Sequence, residues 1–183
     1  HTAQGELRNN GVDSGDLFLF FGWFKQYASR RRGSHHIFGW LQISEIVSGD
    51  ENIKKYLDFR NINHPHGYGS KEYTNNTLYI SSKNLTLEKE PTGLKGHGLF
   101  KNSVEDLILS SPMHTKSMWK LPKTYFKESF DDKEGFFMNR RFPTDKKNFL
   151  VNTNRGRWQE AVLNCENNPK VIDWAINLIS KYG

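Results

Sequence analysis

Histidines, tryptophans and arginines carry most of the chemistry this chain offers. His35-His36 and His64-Pro65-His66 gather four of the seven histidines into two close groups. Imidazole is the commonest metal ligand and the side chain best suited to acid–base work near neutral pH. Adjacent residues on a strand point to opposite faces, so His35 and His36 do not both reach one site. No His-Glu-x-x-His pattern and no carboxylate at a matching interval accompanies them, so neither a metal nor a cofactor is expected. As acid–base groups, His36, His64 and His66 would act with Glu160 as partner. Ser110, Ser111, Ser117 and Cys165 are candidate nucleophiles, but none lies in a nucleophile-elbow pattern. Cys165 precedes Glu166 and has no local cation to depress its thiol. Gly93-Leu94-Lys95-Gly96-His97-Gly98 lacks the Gly-Lys-Ser/Thr of a phosphate loop, and a glycine-rich turn is expected over 91–98.

Rings interleaved with cations form the other constellation. Trp23, Phe24, Trp40 and Trp119 accompany Arg30, Arg31, Arg32, Lys116, Arg140, Arg141, Arg155 and Arg157. Bases stack on aromatic rings for about 1–3 kcal/mol each, and cations neutralise phosphates. Gln42, Gln159 and Glu160 are candidates for hydrogen bonds to a base edge. The plainer reading is core tryptophans beside solvated arginines. Trp40, next to Gly39 at the polar end of its strand, is the tryptophan least expected in a core.

Composition fits that partner. The 183 residues carry a formal charge of +6, with a pI of about 9.3, which favours a polyanion. Hydrophobic content is only 36% while aromatics reach 14%. A core built on rings suits a small barrel or sandwich. The single cysteine rules out an internal disulfide and a cysteine-rich zinc site, and fits a reducing cytoplasm. No apolar run reaches membrane-spanning length. The chain does not begin with Met, and an upstream segment is expected.

The elements that must position these groups follow from turns and periodicity. Asp13-Ser14-Gly15 leads into a continuously apolar strand, residues 16–24, expected to be buried on both faces. A second strand covers residues 36–47. Its alternation places Ile37, Gly39, Leu41 and Ile43 on one face and Phe38, Trp40, Gln42 and Ser44 on the other. Gly22 and Gly39 mark close approaches of backbone or ligand. A short helix is expected over 52–59 and a third strand over 76–81, with short strands at 99–100 and 107–109. Residues 117–126 read as irregular, and 158–164 as a strand closing the sheet. A C-terminal helix has Asn168 as N-cap, Pro169 at its first position and Gly183 past its end. Val171, Ile172, Ala175, Leu178 and Ile179 form its apolar face, with Trp174 at the flank.

Two resemblances add to this. Gly15-Asp16-Leu17-Phe18-Leu19-Phe20-Phe21-Gly22-Trp23-Phe24 and His36-Ile37-Phe38-Gly39-Trp40-Leu41-Gln42-Ile43 resemble the third of the bacterial nucleotide modification associated domain families. His64-Pro65-His66, Asn76-Thr77-Leu78-Tyr79-Ile80, Gly98-Leu99-Phe100, Ser117-Met118-Trp119-Lys120-Leu121-Pro122 and Gln159-Glu160 extend the match. It implies a link with modified bases in DNA and carries over no catalytic residue. Fuller members have an N-terminal segment with its own strand. More distantly, Gly15-Asp16 and Phe38-Gly39-Trp40-Leu41 are similar to PUA-like barrels of the EVE, ASCH and YTH groups. There a modified base lodges in a ring-lined pocket beside the barrel.

The expectation is therefore an α+β fold in one domain over residues 1–183. It is a strongly bent, mostly antiparallel sheet or small PUA-like β-barrel, packed by helices including a C-terminal one. The expected function is a cytoplasmic nucleic-acid-binding module with no membrane association, which recognises a modified or flipped base in an aromatic pocket. Its partner would be DNA with modified bases, in DNA modification or defence against modified DNA. The alternatives are an enzyme acting on nucleotides or modified bases with His/Glu acid–base chemistry, and a protein-interaction module using exposed rings as hot spots.

Overall fold

The computed structural model describes residues 2–25, 27, 33–67, 75–114, 118–131, 143–145, 147–153, 161–166 and 168–183. The fold is α+β. In order, the described elements are α1 (Thr2–Asn9), β1 (Leu17–Phe24), β2 (Ser34–Ser48), α2 (Asp50–Phe59), β3 (Thr77–Ser81), β4 (Asn84–Leu87), β5 (Glu90–Lys95) and β6 (His97–Leu99). They continue with β7 (Met118–Lys120), α3 (Lys123–Asp131), β8 (Pro143–Asp145), β9 (Leu150–Asn152) and α4 (Lys170–Tyr182). One sheet has the order β1-β2-β3, with β6 also paired to β2. β4 and β5 make a two-stranded sheet, and β7-β9-β8 a three-stranded one. Every pairing whose register is resolved is antiparallel, and no closed barrel forms among the described residues. No helix among them is long and apolar enough to cross a membrane.

The chain divides into two compact units, and β1 and β2 supply residues to both. The first unit holds His1–Phe18 and Leu41–His97. Here the second half of β2 pairs with β3, Val47 opposite Leu78 and Ser48 opposite Thr77, with a bulge between Ile43 and Glu45. Gly49 enters α2 at φ 87°, a left-handed conformation that costs glycine least. Asp50 and Glu51 place negative charge on the first turn, where the helix dipole favours it. Ile53 and Leu57, four apart on one helix face, bury against Val47 and Leu78. Gln42 was expected on a face open to a base, and the structure corrects this. The residue is buried, and its Nε2 donates to the carbonyls of Gly15 (3.0 Å) and Thr86 (2.7 Å). Its Oε1 accepts from Thr86 N (2.8 Å) and Thr86 Oγ1 (3.3 Å). A buried amide needs such partners, and here it ties β4 and the turn before β1 to β2.

The second unit holds Leu19–Trp40 and Gly98–Gly183. Its core gathers Ile37, Leu107, Leu109, Trp119, Phe126, Phe130, Val151 and Trp174, among others. β7 and β9 pair Trp119 with Val151 at the centre of the small sheet. Val171, Trp174, Ala175, Leu178 and Ile179 recur at the three- and four-residue spacing of one helix face, and all are buried. Trp174 is thus core rather than flank, with its ring edge-on to Phe126 at 5.2 Å. The N-cap is Pro169, not Asn168. The Asn168 amide is buried and donates to the Tyr125 carbonyl (3.2 Å) and to Ser129 Oγ, so it joins the start of α4 to α3.

Four further expectations change. The expected turn over 91–98 is largely strand, β5 and β6, and the irregular segment 117–126 holds β7 and the start of α3. β1 was expected to be buried on both faces, yet Phe20, Trp23 and Phe24 remain exposed. Among the described residues β1 is an edge strand, paired only with β2, so apolar composition does not suffice to cover it. Trp40, expected outside the core, is only 4% exposed. Its ring packs on Phe100 at 5.0 Å and lies where a Cβ on Gly98 or Gly183 would fall. Gly98→Ala is therefore expected to destabilise the chain by about 1–3 kcal/mol through overpacking. A lowered urea midpoint would show it; an unchanged midpoint would mean the ring yields.

Candidate functional site

The exposed rings and the first histidine pair meet on the β1–β2 ladder, within the second unit. Side chains two apart on a strand share a face. Phe20, Gly22 and Phe24 of β1 share one face, as do Ser34, His36 and Phe38 of β2, and ring contacts put the two sets on the same side of the sheet. Phe20 stacks on Phe38 at 6.2 Å and 25°. Phe24 meets Phe38 edge-on at 5.9 Å and His36 at 5.7 Å. Exposure is 39% for Phe20, 47% for Phe24 and 38% for Phe38, so the three form a ring surface in contact with solvent. Gly22 lets the rings close over the strand: an added Cβ would meet the Phe24 ring at 3.1 Å and the Phe38 ring at 3.5 Å.

At the end of this surface the His36 ring lies between two hydroxyls. Ser34 Oγ is 2.6 Å from Nε2, and Ser103 Oγ is 2.6 Å from Nδ1. Ser34 reaches the ring because residues two apart in β2 face the same way. Ser103 arrives from the loop after β6, which is held to β2 by Phe100 N–H donating to the Phe38 carbonyl (3.0 Å). Partial burial holds the His36 pKa below its ordinary value. A neutral imidazole donates through one nitrogen and accepts through the other, so one serine donates and the other accepts.

The sign of the stability effect follows. As pH falls through the ordinary histidine value of about 6.5, the unfolded chain takes up a proton that folded His36 resists. Stability from this group is thus intact above that value and falls as pH drops below it. Thermal melting from pH 7.5 to 5 should show a loss that His36→Gln reduces; identical pH profiles would contradict this.

The opposite face of the ladder is more enclosed. Phe21 and Trp23 of β1 lie edge-on to His35 at 5.4 and 5.2 Å. Trp119 donates its indole N–H to His35 Nδ1 at 2.9 Å and meets the Phe21 ring at 4.7 Å. An indole nitrogen only donates, so Nδ1 of His35 accepts. The Trp23 ring crosses Gly33, where an added Cβ would come within 2.7 Å of it. Trp23 is 42% exposed.

Of the residues singled out in the sequence, the structure brings Phe24 and His36 together on one face of the ladder, sets Trp23 against His35 on the other, and buries Trp119 beside His35 in the core. Trp40 is buried elsewhere in the same unit, and Gln42 belongs to the other. His64 and His66 also lie in that other unit. Their rings are 5.2 Å apart, and His66 N–H donates to His64 Nδ1 at 3.2 Å. Arg30, Arg31, Arg32, Lys116, Arg140, Arg141, Arg155, Arg157, Gln159 and Glu160 lie outside the described residues. Among the described residues no three His, Cys, Asp or Glu side chains are grouped to hold a metal. Sequence reasoning did not single out Phe20, Phe38, Ser34 or Ser103. Alternation on the two strands was a signal for the first three; Ser103 had none.

The arrangement defines an α+β protein with a solvent-facing ring surface that ends in a hydroxyl–imidazole–hydroxyl chain. Residues 1–164 match the family described as nucleotide modification associated domain 3, and the chain belongs to that family. The family's name ties it to nucleotide modification. No curated protein and no solved structure matches the chain.

Proposed function

We propose that the chain is a nucleic-acid-binding module that takes a modified or flipped base onto the ring surface of Phe20, Phe24 and Phe38. The observation that carries this reading is the exposure of Phe20, Phe24 and Phe38, with the first and second both packed on the third and closed over Gly22. Leaving such rings in water forgoes the gain of burying them, and a base has the flat apolar face that recovers it. Trp23, exposed on the other side of β1, would flank the bound strand. The family's tie to nucleotide modification and the formal charge of +6 support a nucleic acid over a neutral partner. The basic residues of 30–32, Lys116, Arg140, Arg141, Arg155 and Arg157 would hold phosphates, and Gln159 would read a base edge. Extruding a base from a duplex costs a few kcal/mol, least where the base is modified or unpaired. The natural ligand on this reading is DNA carrying modified bases, as part of DNA modification or defence against modified DNA. No cofactor is required.

The test is a fluorescence titration with modified and plain oligonucleotides of one sequence at two salt concentrations. Tighter binding of a modified strand, weakening as salt rises, is expected. No binding of any oligonucleotide at low salt would overturn the proposal.

A further inference from the structure

The His36 chain is more than a base-reading surface requires. Each imidazole nitrogen is 2.6 Å from a serine hydroxyl. The two hydroxyls differ in access, since Ser103 is exposed and Ser34 half-buried. A ligand therefore reaches Ser103 first. A hydroxyl held on one imidazole nitrogen, with the other nitrogen fixed by a third group, is the arrangement that activates a serine for attack. His36 also touches Phe24, so a base lying on that ring has its substituents beside the chain.

We propose that Ser103 is the nucleophile of a hydrolytic site that removes an acyl group from a modified base, with His36 as its base and Ser34 as a positioning residue. This rests on the ring surface holding the base. The Ser103 Oγ–H bond breaks as Oγ bonds to the carbonyl carbon, and the proton passes to His36 Nδ1. The leaving amine or hydroxyl of the nucleotide takes that proton as its bond to the carbonyl carbon breaks. Water then gives a proton to the same nitrogen as its oxygen bonds to the acyl carbon; the Ser103 Oγ–carbon bond breaks, Oγ takes the proton back from Nδ1, and a carboxylic acid leaves. No oxidant or reductant is needed. Ser34 accepts from Nε2–H throughout and keeps Nδ1 turned toward Ser103.

The test is labelling of the full chain with a fluorophosphonate, read by intact mass and peptide mapping. One adduct at Ser103 is expected, absent in Ser103→Ala and slowed on the order of 100-fold in His36→Gln. Ser34→Ala should slow labelling and move its pH midpoint, and Ser34→Thr, which keeps the hydroxyl, should restore both. No adduct, an adduct at another residue, or equal labelling of His36→Gln would overturn the proposal. Oligonucleotide binding is read separately. A chain that binds but does not label keeps the ring surface and loses the nucleophile. One that labels at Ser103 but binds no nucleic acid loses the ring-surface reading and the acyl-base substrate with it.

Discussion

Trp119→Ala is expected to lower stability by about 3–5 kcal/mol, the usual cost of emptying a buried aromatic site. The residue is the centre of β7, paired with Val151 of β9 and bridged to Ser110. Its ring is buried in the main core of its unit, edge-on to Phe21, and its N–H is bonded to His35. Truncation removes the packing and the hydrogen bond together, and the residual volume is walled by strands that cannot collapse freely. Against a total stability of about 5–15 kcal/mol, such a loss leaves little folded chain at 37 °C. Trp119→Phe keeps most of the ring but not the donor, and should cost about 1–3 kcal/mol. Urea denaturation followed by far-UV circular dichroism separates the two. If Trp119→Ala lost less than Trp119→Phe, the ring would not be the core element described.

The second large effect falls on binding and leaves the fold alone. Phe24 is the most exposed of the three surface rings and contacts both Phe38 and His36. Phe24→Ala should weaken binding of a modified oligonucleotide by about 1–3 kcal/mol, roughly 5- to 150-fold, the worth of one stacked base. Phe24→Leu, apolar but without a π-face, should recover only part of it. Because the ring is nearly half in solvent, the melting temperature should move far less than for Trp119→Ala. Equal binding by Phe24→Ala and the parent chain would remove the stacking role.

Much of the positional framework is legible from periodicity and turn chemistry. β1, β2, α2, β3 and α4 fall within a few residues of their expected places because each combines an apolar pattern with a bounding Gly, Pro, Asn or Asp. What fails is instructive in physical terms. The segment 90–99 is rich in glycine, and local propensity argues for a turn. Pairing decides otherwise, β5 to β4 and β6 to β2. α3 is hidden because its apolar positions, Tyr125, Phe126 and Phe130, are rings that read as irregular in a short window. Trp40 and Gln42 looked polar-facing from alternation alone, but β2 is covered on both sides along that stretch. Gly39 admits the Gly98 carbonyl, and Thr86 and Gly15 take up the Gln42 amide.

The site shows the same division. Trp23, Phe24 and His36 are legible as residue types, and strand alternation points to Phe20 and Phe38. That Ser34 and Ser103 converge on one imidazole is not legible. One is two residues away along β2, while the other is 67 positions distant in sequence. Contacts of that separation are set by tertiary structure, to which a single sequence gives no local clue.

On the proposed function a base lies on the ring surface of β1 and β2. Photocrosslinking of a single-stranded oligonucleotide carrying 5-iodouracil, followed by peptide mapping, tests it at residue level. Crosslinks concentrated at Phe20, Trp23, Phe24 and Phe38, and lost in Phe24→Ala, are the expected result. Crosslinks confined to other segments of the chain, with residues 20–24 and 38 unmodified, would contradict the account.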